Sequence, residues 1–268
     1  DEQHFDKERA YQLFLEHTEN LVQPSVKRKT LTISPWMYAA AMVVIVFFCG
    51  TIAFQSGKRV LRNQLTQITV EAPYGSKTKL YLPDGTLVWL NAGSKMSYAQ
   101  DFGINERSLN LSGEAYFEVA HNPNKPFFVE SKNLQIQVLG TSFGVRVYKD
   151  EDYALTTLEE GQVNIHTATS SVTLKPGEQA KLHDNEITVN KVNTCSYTAW
   201  RNGKYIFINE PLGNIMKTLA RWYDINIFYT SSKLEQIQFT GELIRYKNIE
   251  ELLSKFEILE KVKFEIRN

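Results

Sequence analysis

A glycine followed by a hydroxyl residue, Gly140-Thr141, interrupts the alternation of "QVLGTSFGVRV" at residues 137–147, where Val138, Phe143, Val145 and Val147 are the apolar positions. A threonine hydroxyl becomes a nucleophile when a neighbouring group takes its proton, and a glycine loosens the backbone in front of it. The same pair also serves as a bulge or bend that relieves crowding in a sheet. Both readings stand at this point. Other chemistry is sparse. His121, His166 and His183 fall on separate predicted strands or turns, without metal-ligand spacing to one another or to a cysteine. Glu114 and Glu118 share one face of a predicted strand, opposite Phe117 and Val119, and are expected to face solvent. No phosphate-cradling glycine loop before a helix is present. Cys49 and Cys195 are the two cysteines, too few for a structural zinc cluster. A conventional enzyme is therefore not expected, nor a cofactor or metal.

The elements that position these residues are mostly strands. From residue 66 to 193, turn signals recur every 8 to 12 residues, the spacing of sandwiches and barrels. "KTKLYLPDGTLVWLNAGS" alternates through Thr78, Leu80 and Leu82, turns at Pro83–Gly85 and returns through Leu87 and Trp89. "RSLNLSGEAYFEVA" breaks at Ser112-Gly113 between two alternating halves. Further turns are expected at Glu160-Gly161 and Pro176-Gly177. The region reads as an antiparallel β-sandwich or β-roll.

From residue 200 to 268 the period changes. "GKYIFINE", "INIFYT", "IQFTGEL" and "VKFEIR" read as strands. "PLGNIMKTLARWYD" reads as a helix with Leu212, Ile215, Leu219 and Trp222 or Tyr223 on one face. "NIEELLSKFEIL" reads as another, with Asn248 as N-cap and Ile249, Leu252, Leu253 and Phe256 inward. The expectation is a small βαββαβ module.

A membrane anchor precedes both. Residues 31–56 hold no charged residue from Leu31 to Phe54, and "WMYAAAMVVIVFFCGTIAF" is long enough to span a bilayer as one helix. Trp36 and Tyr38 fit an interfacial aromatic belt. Lys27, Arg28 and Lys29 before the span balance Lys58, Arg59 and Arg62 after it, so charge alone does not orient it. Cys49 inside the span is out of reach of Cys195. Residues 1–30 comprise a helix with Phe5, Ala10, Tyr11, Phe14 and Leu15 at three- and four-residue steps, then a basic linker. That stripe reads either as a solvated juxtamembrane helix or as a docking surface for a partner. The first residue is Asp1, not Met, and the start of the natural polypeptide is expected to precede it. With 30 basic and 30 acidic residues among 268, the chain is not built to coat nucleic acid.

"PYGSKTKLYLPDGTLVWLNAGSKMSY", "RSLNLSGEAYFEVAHNPNKPFFVES", "IQVLGTSFGVRVY", "TTLEEGQVNI" and "LKPGEQA" in order resemble the FecR-type transmembrane anti-sigma factors, in their Bacteroidetes form. "GKYIFINEPLGNIMKTLARWYDINIFY" with "FTGEL" and "NIEELL" is similar to the module that ends these proteins, itself similar to the signalling modules of secretins and TonB-dependent transporters. The resemblance implies one pass through the cytoplasmic membrane, with the N-terminus in the cytoplasm and the bulk in the periplasm. It implies an extracytoplasmic-function sigma factor as cytoplasmic partner, with Phe5, Tyr11 and Phe14 as contacts. The N-terminal signalling domain of an outer-membrane TonB-dependent transporter, loaded with an iron chelate or a glycan, would be the periplasmic partner. The family's cytoplasmic domain is usually a bundle of several helices; "DEQHFDKERAYQLF" resembles its last helix. In some members a matching Gly-Thr bond breaks by attack of the Thr hydroxyl on the preceding carbonyl, so Gly140 and Thr141 become a self-cleavage junction, with glycine expected to allow a strained geometry. A reading of a different class is a membrane-anchored carbohydrate-binding or carbohydrate-processing β-domain; the C-terminal module argues against it.

Overall fold

A strand with one apolar face is stable only when a second layer covers that face, and the alternating segments meet this need by forming two sheets. The computed structural model describes residues 7–19, 36, 42, 48–50, 67–131, 133–245, 247–258 and 262–267. Among the described residues no helix is long and apolar enough to cross a membrane. The expected span at 31–56 lies almost wholly outside them, as do Phe5 and the basic linker. The chain divides into two units, Asp1–Asn63 and Gln64–Asn268. In the first, α1 spans Lys7–Glu19.

The second unit is dominated by strands. β1 (Gln67–Ala72), β4 (Ser94–Ala99), β5 (Arg107–Glu118), β6 (Phe127–Ser131), β7 (Leu134–Val138), β10 (Val163–His166) and β11 (Ser171–Leu174) form one sheet in the order β1-β4-β5-β6-β7-β10-β11. β2 (Thr78–Tyr81), β3 (Leu87–Leu90), β8 (Ser142–Val147), β9 (Tyr153–Glu160), β12 (Glu178–His183) and β13 (Glu186–Lys191) form the other with β5, in the order β2-β3-β5-β8-β9-β12-β13. β5 belongs to both because it bends at Gly113, φ +112°, where the sequence placed a break. Val88, Leu90, Met96, Leu109, Phe117, Phe127, Ile136, Phe143 and Leu158 fill the space between the sheets.

One pair departs from the expected antiparallel pattern: β5 and β6 run parallel, Arg107 beside Phe127 and Asn110 beside Glu130. Parallel neighbours need a crossover connection. Here the second half of β5, spent in the other sheet, supplies it, and residues 119–126 bring the chain back.

β13 leads through α2 (Thr194–Thr198), capped by Asn193, and a 3₁₀ turn (Ala199–Asn202) into the C-terminal module. There β14 (Lys204–Pro211) pairs antiparallel with β15 (Gln238–Ile244) across a bulge at Phe207–Glu210. α3 (Leu212–Tyr223) and α4 (Ile249–Glu257) follow the predicted faces: Leu212, Ile215, Leu219, Trp222, Leu252, Leu253 and Phe256 are buried. Asn248 caps α4 through its side chain, which accepts from Glu250 N at 2.9 Å. The expected βαββαβ order is corrected in two places. Residues 225–230 and 262–267 carry no strand pairing among the described residues. Their alternation is satisfied by packing alone, with Ile227, Tyr229, Val262 and Phe264 on the core while Phe228 is 90% exposed.

Candidate functional site

The polar faces of β5 and β8 do not end in water. Glu114 of β5 and Arg146 of β8 are register partners, and α3 lies over them. Glu114 was expected to be solvent-facing, and this is corrected: it does point away from Phe117, but the module covers that second face, leaving it 7% exposed. Glu118, four residues on, is exposed as expected.

A charge cluster forms in this seam. Arg146 donates from Nε to Glu151 Oε2 at 2.8 Å and from Nη2 to Oε1 at 2.7 Å. Arg221 of α3 donates from Nη1 to the same Glu151 Oε1 at 2.8 Å and from Nη2 to Asp150 at 2.7 and 2.9 Å. Its guanidinium lies 3.6 Å from the centre of the Tyr148 ring, a cation–π contact. Trp222 Nε1 donates to Asn91 Oδ1 at 3.3 Å, and Asn91 Nδ2 donates to Glu114 Oε2 at 2.7 Å. On a second side of the seam, Arg201 stacks 3.6 Å from the Tyr116 ring centre and bonds Glu159 at 3.3 Å.

Charges buried together shift one another's protonation. Burial pushes the Glu114 carboxyl up, more than Arg146 and Asn91 pull it down. Burial also opposes the charge of Glu151, but Arg146 and then Arg221 outweigh it and hold that carboxyl below its usual range. The cluster thus fastens the module to the β-domain through paired ions, with one carboxyl drawn toward its neutral form. Beside it lies a cavity of about 330 Å³, bounded by β8, β9, α2, β14 and α3.

Gly140 and Thr141 lie between β7 and β8. Val119 N donates to Thr141 O at 3.0 Å and Asn122 N to Leu139 O at 2.8 Å, so the 119–122 segment runs against the junction. A Cβ at position 140 would lie 2.5 Å from His121 Nδ1 and 2.7 Å from His121 Cα. Glycine is needed there for space. The expected backbone strain is not found, because Gly140 is not among the residues with positive φ. From the other side Gly161 presses in, at φ +93°, where a Cβ would meet Thr141 Oγ1 at 2.9 Å. The Thr141 side chain is buried and its hydroxyl donates to Gln162 O at 3.0 Å.

His121 was too distant in sequence to place; the return segment brings it against Gly140. That segment is held by Arg107, 1% exposed, which donates to Ala120 O at 2.7 Å, to Lys125 O at 2.9 Å and to Asp84 at 3.2 Å. His183 pairs with Asp152 and Asp184 at the surface, and His166 ends β10. The three histidines stay apart in the chain's secondary structure, and no group of His, Cys, Asp or Glu able to hold a metal occurs among the described residues.

On α1, Tyr11 and Phe14 are 59% and 64% exposed, with Leu15 on the same face at 39%. The seam residues Arg146, Glu151 and Arg221 were not singled out from sequence. The signal present in the sequence is an arginine between two apolar residues in "VRV".

Two family models match the chain: "FecR protein" over residues 68–164 and "FecR, C-terminal" over residues 204–268, together more than half its length. Two crystal structures of a candidate anti-sigma factor from Parabacteroides distasonis ATCC 8503, at 1.65 and 2.50 Å resolution, are similar. Each is 27% identical with a TM-score of 0.71, covering 75% of this chain and 95% of the other. No curated protein matches the sequence.

Proposed function

The chain belongs to the FecR family of anti-sigma factors, and from that premise we propose that it relays a signal across the cytoplasmic membrane to an extracytoplasmic-function sigma factor. A member of this kind has a sigma factor as partner. In the proposed arrangement residues 31–56 cross the membrane once, residues 1–30 reach the cytoplasm, and the β-domain and module stand in the periplasm. There they receive a TonB-dependent outer-membrane transporter loaded with an iron chelate or a glycan.

The observation that carries the cytoplasmic half is the exposed stripe of Tyr11, Phe14 and Leu15 on α1. Large apolar side chains grouped on one helix face mark a docking surface. The composition of 31–56 supports the crossing, and the resemblance of the module to transporter signalling modules supports the periplasmic half. The test is co-purification of the complete protein with the sigma factor encoded beside it. The expected result is a stable complex that Tyr11→Ala with Phe14→Ala weakens at least tenfold. No complex, together with unchanged target transcription on deletion, would sink the proposal.

The proposal extends to Gly140–Thr141 as a self-cleavage junction of a regulatory protein that is not otherwise catalytic. Its support is the family resemblance; the hydroxyl's own bond goes to a carbonyl, Gln162 O, which is not a base.

A further inference from the structure

The cavity at the seam is bounded on one side by the β-domain and on the other by the module. Its volume, about 330 Å³, falls within the range of small-molecule sites. Four of its polar groups have hydrogen-bonding capacity to spare. Arg146 Nη1 makes a single long contact, 3.5 Å, to Glu114 Oε2. Glu114 Oε2 takes both that contact and the Asn91 bond, and no described residue donates to Glu114 Oε1. The hydroxyls of Tyr153 and Tyr197 make no hydrogen bond to a described residue, although both residues line the cavity. Trp200 and Trp222 add indole surface to the wall.

The cations of the lining are already matched, Arg146 on Glu151 and Lys204 on Glu242, and the Glu210 carboxylate takes the Asn214 amide at 2.6 Å. An anionic ligand would find no free cation in the lining and would lose its hydration. A neutral ligand with several hydroxyls loses less and meets both donors and acceptors. Its apolar ring face packs on aromatic surface.

We propose that this cavity binds a neutral saccharide of one or two rings, with Glu114 and Arg146 on its hydroxyls and Tyr153 and Tyr197 completing the polar contacts. Because the walls come from both the β-domain and the module, a bound sugar bridges the seam and stabilises the closed arrangement by linkage. The inference is independent of which sigma factor or transporter the protein serves.

The test is calorimetric titration of the full chain, in a detergent without a sugar headgroup. The probes are D-glucose, D-galactose, D-mannose and N-acetyl-D-glucosamine, then maltose, cellobiose and lactose. The expected result is saturable binding of at least one probe, with a higher melting temperature at saturation. A monosaccharide that binds as well as its disaccharide identifies a free sugar as ligand; binding confined to a disaccharide identifies the end of a glycan. Tyr153→Phe and Tyr197→Phe, which remove only hydroxyls, should each weaken binding about tenfold, the worth of one lost hydrogen bond, at an unchanged melting temperature of the free protein. Absence of heat with all seven probes at about 10 mM, where even millimolar affinity would register, overturns the proposal. So does binding that survives in the Tyr153→Phe, Tyr197→Phe double variant.

Discussion

Two carboxyls of the seam, both in contact with Arg146, respond to pH in opposite senses. Glu151 has its folded value held below the usual carboxylate range, so its contribution to stability is present above that range and lost as pH falls through the folded value. Glu114 is pushed up chiefly by burial, so its contribution is present below the usual range and lost as pH rises through the raised value. Glu151→Gln leaves two buried guanidiniums short of charge and should cost about 3 kcal/mol at neutral pH. Glu114→Gln keeps an acceptor for Asn91 but cannot ionise, so its stability relative to wild type should be higher at pH 8 than at pH 4. Urea unfolding of the three proteins at both pH values reads this directly; equal Glu114→Gln differences at the two would contradict it. At the junction, sequence alone identified Gly140 and Thr141 as unusual and left two readings of the glycine, relief of crowding in the sheet or a strained geometry; the structure shows crowding. The cause is His121, nineteen residues away in the chain and in contact only once β5 has bent. The proposed scission predicts a fragment beginning at Thr141 in the mass spectrum of freshly purified protein, missing from Thr141→Ala. An intact chain in both would leave the glycine with its packing role alone.

At the scale of elements, helix faces were readable and strand status was not always so. α3 and α4 bury the residues their 3.6-residue period assigns inward. "INIFYT" and "VKFEIR" alternate as strands do, yet alternation reports only that one face is covered, and pairing needs a partner backbone that these segments lack among the described residues. The short α2 and its 3₁₀ turn were not visible, since five residues carry no periodic signal. α3 ends at Asp224 in the left-handed region, φ 54°, a position that glycine takes without a Cβ penalty. Asp224→Gly should therefore raise stability by about 0.5 kcal/mol, seen as a higher melting temperature; a lower one would show that the Asp side chain contributes a contact of its own.

For the molecule as a whole, the order of elements and the change from strands to helices followed from local patterns. The seam did not. Its contacts join residues 70 and 131 apart in sequence, Arg221 to Glu151 and Trp222 to Asn91, and a strand pattern cannot tell a face covered by a later module from one facing water. The same long-range wiring governs what a broken backbone at 140 would do. The pieces on either side remain joined by the ladder of β5 with β8, from Gly113–Val147 to Glu118–Ser142, and by that of β7 with β10. Scission would turn one thread into two interlocked parts without releasing either. Their separation would then depend on mechanical load, a pull strong enough to shear or unzip two ladders, so a cut protein behaves as a force-sensitive link where an intact one behaves as a tether.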